Sequence, residues 1–336
     1  MAAERLLKVE NLTLVLKTRE GEIVPVREVS FTLGKGETVG LVGESGSGKT
    51  LTGLSLLGLF PPGARIAGGK ILFDGEDLLT LPESRLQTLR GQKVSMVFQE
   101  PQSALNPVLT VETQMREIYQ SHTSLSREEI GQRILDGLRA AGLPDPLTVS
   151  RSYPHQLSGG MRQRVMIAMA LALDPLLVIA DEPTTALDPT VALQILALLA
   201  RIRQRSGQSL LFISHDLSHV RRVSDRVLLM YAGRIVEEAP SARFFSHGPR
   251  HPYGRALLAS RPEGGIRTRR EAPLSAIGGQ VPPLWDLPPG CSFAPRCSRA
   301  DSLCTSTLPS WNGGEGERVF CHHPDDSPLG APVHAA

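Results

Sequence analysis

Gly43-Glu44-Ser45-Gly46-Ser47-Gly48-Lys49-Thr50 sets one lysine and one threonine hydroxyl behind three glycines, a spacing suited to holding phosphate. Glycines at 43, 46 and 48 permit backbone conformations closed to other residues, so successive N–H groups can turn inward on β- and γ-phosphate oxygens. Lys49 offers a point charge to the same oxygens, and the Thr50 hydroxyl a ligand for Mg²⁺. Two acids follow a separate apolar run, Leu176 to Ala180: Asp181 is placed to bind Mg²⁺ and Glu182 to act as general base on an attacking water. A third run, Leu210 to Ile213, leads to Ser214 and His215, and His215 reads as a γ-phosphate contact. Taken singly these would be a glycine turn, a pair of surface acids and a structural histidine. Together they predict ATP hydrolysis.

The elements that must position these groups are legible around them. The phosphate loop lies between a strand candidate, Thr38 to Val42, and a helix candidate from Thr50 to about Leu59, whose first turn, Leu51 included, adds a positive dipole end to the site. Residues 1 to about 100 read as strands and hairpins, with Leu6 to Leu16 and Val24 to Leu33 as the first two. From about Pro101 to Pro175 the pattern turns helical. Ser126 and Glu129 form a capping box, Ile130, Ile134, Leu135 and Leu138 line one face, and Gly142 is placed to end that helix. Strands return at 176, and Val227 to Val236 reads as a hairpin turned at Gly233.

Leu157-Ser158-Gly159-Gly160-Met161-Arg162-Gln163 adds a second anion-binding pattern, with Ser158 a helix N-cap candidate and two glycines exposing amides ahead of an apolar helix. This stretch resembles the signature motif of the ATP-binding-cassette proteins. The resemblance implies an α/β fold, a phosphate-loop ATPase core of RecA-like type with an antiparallel β subdomain and an inserted helical subdomain. It implies that Leu157, Ser158, Gly159, Gly160, Met161 and Gln163 serve ATP held by a second cassette, in a head-to-tail pair with two composite sites. It also implies that Gln99, after Met96-Val97-Phe98, links Mg²⁺ to a transport subunit, and that Ala186-Leu187-Asp188 joins the two sites. Family members usually stack an aromatic side chain on adenine near residue 16; here Leu16, Val24 or Val26 must provide an apolar face instead.

The cassette should close near Pro240, giving residues 1–240 to it, with the helical insert at about 101–175, and 241–336 to a loop-rich extension containing all four cysteines. Their spacing, Cys291-x5-Cys297-x6-Cys304-x16-Cys321, suggests one shared site; disulfides are disfavoured in a reducing cytosol. Zinc, an iron–sulfur cluster and free thiols all remain open from spacing alone. His251-Pro252-Tyr253-Gly254-Arg255-Ala256-Leu257-Leu258 and Cys291-Ser292-Phe293-Ala294-Pro295-Arg296-Cys297 resemble the C-terminal extension of dipeptide and oligopeptide importer ATPases. That resemblance implies a [4Fe-4S] cluster on Cys291, Cys297, Cys304 and Cys321, with Zn²⁺ the alternative. It also implies a second ATPase subunit, two transmembrane permeases and an external peptide-binding protein as partners, with nickel, glutathione or antimicrobial peptides as alternative cargoes.

Composition agrees. A length of 336 residues allows a sizeable core, and a net charge of +2 with scattered basic residues gives no field for nucleic acid. The Arg267, Arg269, Arg270 group reads as a solvated linker. Met1 to Glu10 carries charges where a signal peptide would need an apolar core, and no stretch approaches the ~20 apolar residues of a membrane span. The expected location is therefore peripheral, on the cytoplasmic face of the cell membrane. Cassettes acting on DNA or ribosomes are the rival class. They would show long heptad coiled coils or two cassettes in one chain, and neither pattern is present.

Overall fold

The structure is a computed structural model describing residues 4–19, 21–260 and 277–327. The Arg267, Arg269, Arg270 group lies outside the described residues. The elements in chain order are β1 (Arg5–Thr18), β2 (Gly21–Gly34), β3 (Thr38–Val42), α1 (Lys49–Ser55), β4 (Ala64–Phe73), β5 (Glu76–Asp77), α2 (Glu83–Gln92) and β6 (Val94–Val97). The helical stretch follows as α3 (Pro101–Ala104), α4 (Val111–His122), α5 (Arg127–Ala140), α6 (Pro146–Arg151) and α7 (Gly159–Leu171). Then come β7 (Leu177–Asp181), α8 (Pro189–Ser206), β8 (Ser209–Ser214), α9 (Leu217–Val223), β9 (Arg226–Tyr231) and β10 (Arg234–Pro240). The chain continues through α10 (Ser241–Ser246), α11 (Pro252–Ala259), α12 (Ser302–Ser306), β11 (Trp311–Gly314) and β12 (Glu317–Phe320).

Two sheets result. The first is antiparallel, ordered β2-β1-β4-β5; the second has eight strands, ordered β11-β12-β10-β9-β3-β8-β7-β6. Strands β9, β3, β8, β7 and β6 are mutually parallel, and β3, β7 and β8 are buried along their whole lengths, which is why they read as unbroken apolar runs. Leu12, Val26, Phe31, Leu41, Ile179, Leu211 and Met230 belong to one apolar core. Val165, Ile167, Ile195, Phe212, Tyr231 and Phe244 belong to another, which extends under the helical insert.

Local signals explain most of the insert. Ser126 Oγ accepts from Glu129 N at 3.3 Å and Glu129 Oε2 from Ser126 N at 2.7 Å, closing the capping box. Gly142, at φ 76°, follows the end of α5. Two elements differ from the sequence expectation. The helix after the phosphate loop stops at Ser55 instead of near Leu59, because the chain tightens into turns and reverses at Gly58, φ 62°. Helix α2 stands where only strands were expected; it buries Leu89 alone, too little apolar periodicity to be read.

The loop-rich C-terminal segment is more than an appendage. β12 pairs with β10, Glu237 opposite Val319 and Glu238 opposite Arg318, so the end of β10 at Pro240 is not the end of the sheet. Arg318 donates to Glu238 Oε2 at 2.7 Å and to the Ser30 carbonyl at 2.8 Å, tying β12 to both sheets.

Candidate functional site

Parallel pairing brings the reactive groups to one sheet edge. Val42 lies opposite Ser214, Asp181 opposite Ile213 and Val97 opposite Ala180, so the segments beginning at residues 43, 182, 215 and 98 leave adjacent strands at their C-terminal ends. That edge is where open α/β sheets bind ligands.

The phosphate loop is held from several sides. Gly48, at φ 102°, forms the N-cap of α1, and a Cβ there would lie 2.2 Å from the Pro25 carbonyl oxygen. No other residue fits. Lys49, 5 % exposed, donates from Nζ to the carbonyls of Gly43 and Glu44, each at 2.9 Å. Burial lowers its pKa against the opposing pull of Glu182, Asp181 and Glu44. Thr50 Oγ1 donates to Asp181 Oδ1 at 3.2 Å, bringing the two expected Mg²⁺ ligands together. Burial pushes Asp181 up to about 6, with the Thr50 hydrogen bond pulling the other way.

Glu182 sits beside them in the left-handed region, φ 45°, a conformation that costs a non-glycine residue about 1–3 kcal/mol and is retained where the surroundings demand it. Its Oε2 accepts from Thr185 Oγ1 at 2.7 Å and lies 2.8 Å from His215 Nδ1, while Oε1 has no partner among the described residues. Burial would raise the pKa of Glu182, but the contacts from Thr185 and His215 outweigh it and hold the group below its usual range. The carboxylate is therefore ionised, with one oxygen anchored and the other free to accept from water. Gln99 is exposed beyond β6, beside the Asp181 strand.

Ser158 caps α7 through Met161 N at 3.3 Å, and Ser158 and Gly159 are both exposed. Leu157 and Gln163 are buried and serve the packing of that helix, with Gly160 and Met161 half-buried between. Of the apolar residues considered for the base, Val26 is 0 % exposed and packed in the core, which removes it. Leu16 and Val24 are half-buried; Val24 precedes Pro25, whose carbonyl abuts the phosphate loop.

The four cysteines line one small cavity, with His251, Phe293, Arg299, His322 and His323 also in its wall. All are free thiols. Cys291 N donates to the Cys304 carbonyl at 2.7 Å, joining two of the cysteine-bearing turns. Burial raises the pKa of each, that of Cys321 to about 12.

Sequence reasoning missed two residues at the phosphate loop. Arg296 and Tyr253, both in the C-terminal segment, contact Glu44. Each lies within a stretch singled out for its resemblance, but nothing in their spacing ties them to residue 44.

Comparison with known proteins places this geometry. The pattern described as ABC transporter matches residues 26–185, and the oligopeptide/dipeptide transporter C-terminal region matches residues 236–304. An ATP-binding protein of Brucella ovis named for peptide import is 45 % identical over 335 residues, covering 95 % of this chain and 98 % of its own. The dipeptide transport ATP-binding protein DppD of Bacillus subtilis is 44 % identical over 307 residues, covering 91 % and 90 %. Among solved structures, the dimeric post-hydrolysis cassette MJ0796 bound to ADP and Pi superimposes with a TM-score of 0.64 at 30 % identity, covering 70 % of this chain and 98 % of that one. CbiO1 of Clostridium perfringens gives 0.61 at 25 % identity, covering 72 % and 91 %. The chain belongs to the ATP-binding-cassette transporter family. Within it, the two matched regions and the full-length relatives make it the ATP-hydrolysing subunit of a peptide importer.

Proposed function

We propose that residues 43–50 with Leu51 hold the phosphates of ATP, that Leu16 and Val24 supply an apolar face to its base, and that Glu182 and His215 order the attacking water. Thr50, Asp181 and Gln99 would hold Mg²⁺, which when bound neutralises charge on the β- and γ-oxygens. The observation that carries this reading is the contact of Thr50 with Asp181 and of Glu182 with His215 at one strand edge. Phosphoryl transfer asks mainly for positioning, and Glu182, ionised and anchored through one oxygen, can orient water with the other.

A second cassette would cover the exposed Ser158 and Gly159 amides and receive its own γ-phosphate there. Two permeases would dock near Gln99 to Asn106, beside the exposed Phe98 and the 74 % exposed Val108. An external peptide-binding protein would deliver cargo, and the subunit would sit on the cytoplasmic face. Among the described residues no helix is long and apolar enough to cross a membrane, which suits a peripheral subunit.

The cysteine cavity fits a resident metal group. Four thiols converge on one small cavity of about 10 Å³, and the 1 % exposed His251 turns one ring nitrogen to Tyr253 N while its Nε2 has no partner among the described residues. Cys291, Cys297, Cys304 and Cys321 would hold a [4Fe-4S] cluster, which when bound cross-links these turns and can exchange an electron. Zinc is the second reading, favoured by Asp301, Cys304 and His323, whose ligand atoms lie within 4.8 Å of one another.

The test is uptake of a labelled dipeptide into vesicles containing the assembled transporter. Lys49→Ala should abolish ATP hydrolysis and uptake together, and unlabelled dipeptide should compete where nickel or glutathione does not. Dipeptide uptake by the Lys49→Ala assembly would overturn the site assignment; competition by nickel or glutathione alone would reassign the cargo.

A further inference from the structure

Glu44 is the node of the phosphate loop, because each of its polar groups is committed. Its carbonyl accepts from Lys49 Nζ at 2.9 Å. Its amide donates to the Tyr253 hydroxyl at 2.8 Å. Its carboxylate takes both arms of the Arg296 guanidinium, Oε2 from Nη1 at 2.7 Å and Oε1 from Nη2 at 3.0 Å. The Tyr253 and Arg296 contacts come from the C-terminal segment, 209 and 252 residues away in sequence.

The two anchors are themselves rigid. Tyr253 is fully buried, with its ring 4.7 Å from that of Tyr231 and 5.4 Å from that of Phe293, centroid to centroid. The side chain of Arg296 is 4 % exposed, its Cζ lies 5.9 Å from the ring centres of both Tyr231 and Phe293, and its Nε donates to the Gly278 carbonyl at 2.9 Å. A bidentate, charge-assisted pair of this kind fixes orientation as well as distance. The Glu44 amide is thus committed to the Tyr253 hydroxyl, which fixes the backbone of the loop at that residue. Ordinary surface ion pairs do neither.

We propose that Arg296 and Tyr253 are positioning residues of the ATP site, holding Lys49 in place through Glu44. The inference rests on the reading that residues 43–50 hold ATP. It also makes the cysteine cavity a neighbour of the nucleotide: Arg296 directly precedes Cys297, and His251 lies in the cavity wall two residues before Tyr253. Whatever holds the cysteine turns in place therefore holds the guanidinium on Glu44.

The experiment compares full-length subunit carrying Arg296→Gln, Arg296→Lys, Glu44→Gln, the Arg296→Gln/Glu44→Gln double and Tyr253→Phe. Binding of a fluorescent ATP analogue with Mg²⁺ gives Kd, turnover in the assembled transporter gives kcat and KM, and hydrogen exchange follows the amides of residues 44–48. Arg296→Gln should raise Kd and KM about tenfold and leave kcat within about threefold. Arg296→Lys should recover part of the loss, and the double should bind no worse than Arg296→Gln. Tyr253→Phe, which keeps the ring packing, should speed exchange at the Glu44 amide and raise Kd severalfold; it carries the test if Arg296→Gln fails to fold. Wild-type Kd and wild-type exchange in both Arg296→Gln and Tyr253→Phe, or additive losses in the double, would overturn the proposal. Lys49→Ala is the control: unchanged ATP binding there would refute the assignment of the loop, while exchange at residues 44–48, which needs no nucleotide, would still decide whether the tether exists.

Discussion

Replacing Glu182 with glutamine isolates the charge at the proposed water-ordering position. The amide has the shape of the carboxylate and meets the same left-handed backbone, φ 45°, so folding should be untouched and the melting temperature should move by no more than about 2 °C. What is lost is the negative charge on the oxygen facing water, since Oε2 is already engaged by Thr185 at 2.7 Å and by His215 at 2.8 Å. A positioned base contributes about 10²–10⁴-fold, or ~3–5 kcal/mol of barrier. The holding of Glu182 below the usual carboxylate range makes it a weak proton acceptor, which favours the lower half of that interval. Single-turnover hydrolysis in the assembled transporter should therefore fall about 10²–10³-fold while ATP binding persists and a closed cassette pair accumulates. His215 acts on the same oxygen, so Glu182→Gln/His215→Ala should be no slower than Glu182→Gln by more than about threefold. Turnover within tenfold of wild type, or multiplicative losses in the double, would remove Glu182 from this role.

Three other outcomes follow from the same geometry. Ser158→Arg puts bulk on an exposed helix start, so the isolated subunit should keep its ATP affinity while hydrolysis by the assembled pair drops at least tenfold; equal loss of binding in the isolated chain would sink the composite site. Protein purified without oxygen should contain iron and acid-labile sulfide at ~4 each per chain and lose both in Cys297→Ser; stoichiometric zinc without sulfide would reject the cluster. Burial pushes Glu237 up to about 7, against about 4.3 in an unfolded chain, so the folded state holds its proton more tightly and gains stability as pH falls through that window. His251, held to about 3 by burial, pulls the other way below about 6.5. Glu237→Gln should therefore steepen the loss of stability between pH 7 and pH 5 by about 2 kcal/mol in urea titrations, and an unchanged slope would contradict the buried-proton reading.

The strand edge that carries the proposed site was legible because each part of it is local: a glycine-spaced loop, or a polar residue placed directly after a buried strand. Asp181 and His215 could be read in that way without knowing which strand neighbours which. Arg296 and Tyr253 could not, because their relation to Glu44 spans more than two hundred residues and exists only once α11 and the cysteine turns pack beside β9. Val26 was misread for a related reason. Register shifts along β1 and β2 break the simple alternation of faces, so its direction could not be counted from sequence. β12, four residues after a glycine turn, is too short to carry a pattern of its own.

The pairing of β10 with β12 also bears on how the chain is made. Glu237 and its partner Val319 are 82 positions apart. A ribosome adding about 5–20 residues per second leaves β10 without that neighbour for roughly 4–16 s after Glu237 is synthesised. During that interval the growing sheet has a bare edge, the kind of surface on which nascent chains pair with one another. β10 meets the delay with two adjacent carboxylates, Glu237 and Glu238, which a foreign strand would have to bury without the Arg318 guanidinium that β12 brings. Arg226 of β9 is made before Glu238 and pairs with it, the Arg250 and His251 amides follow Glu237 by 13 and 14 residues, and Arg318 comes only with β12. The edge thus repels strangers during translation and admits the segment that brings the matching donors.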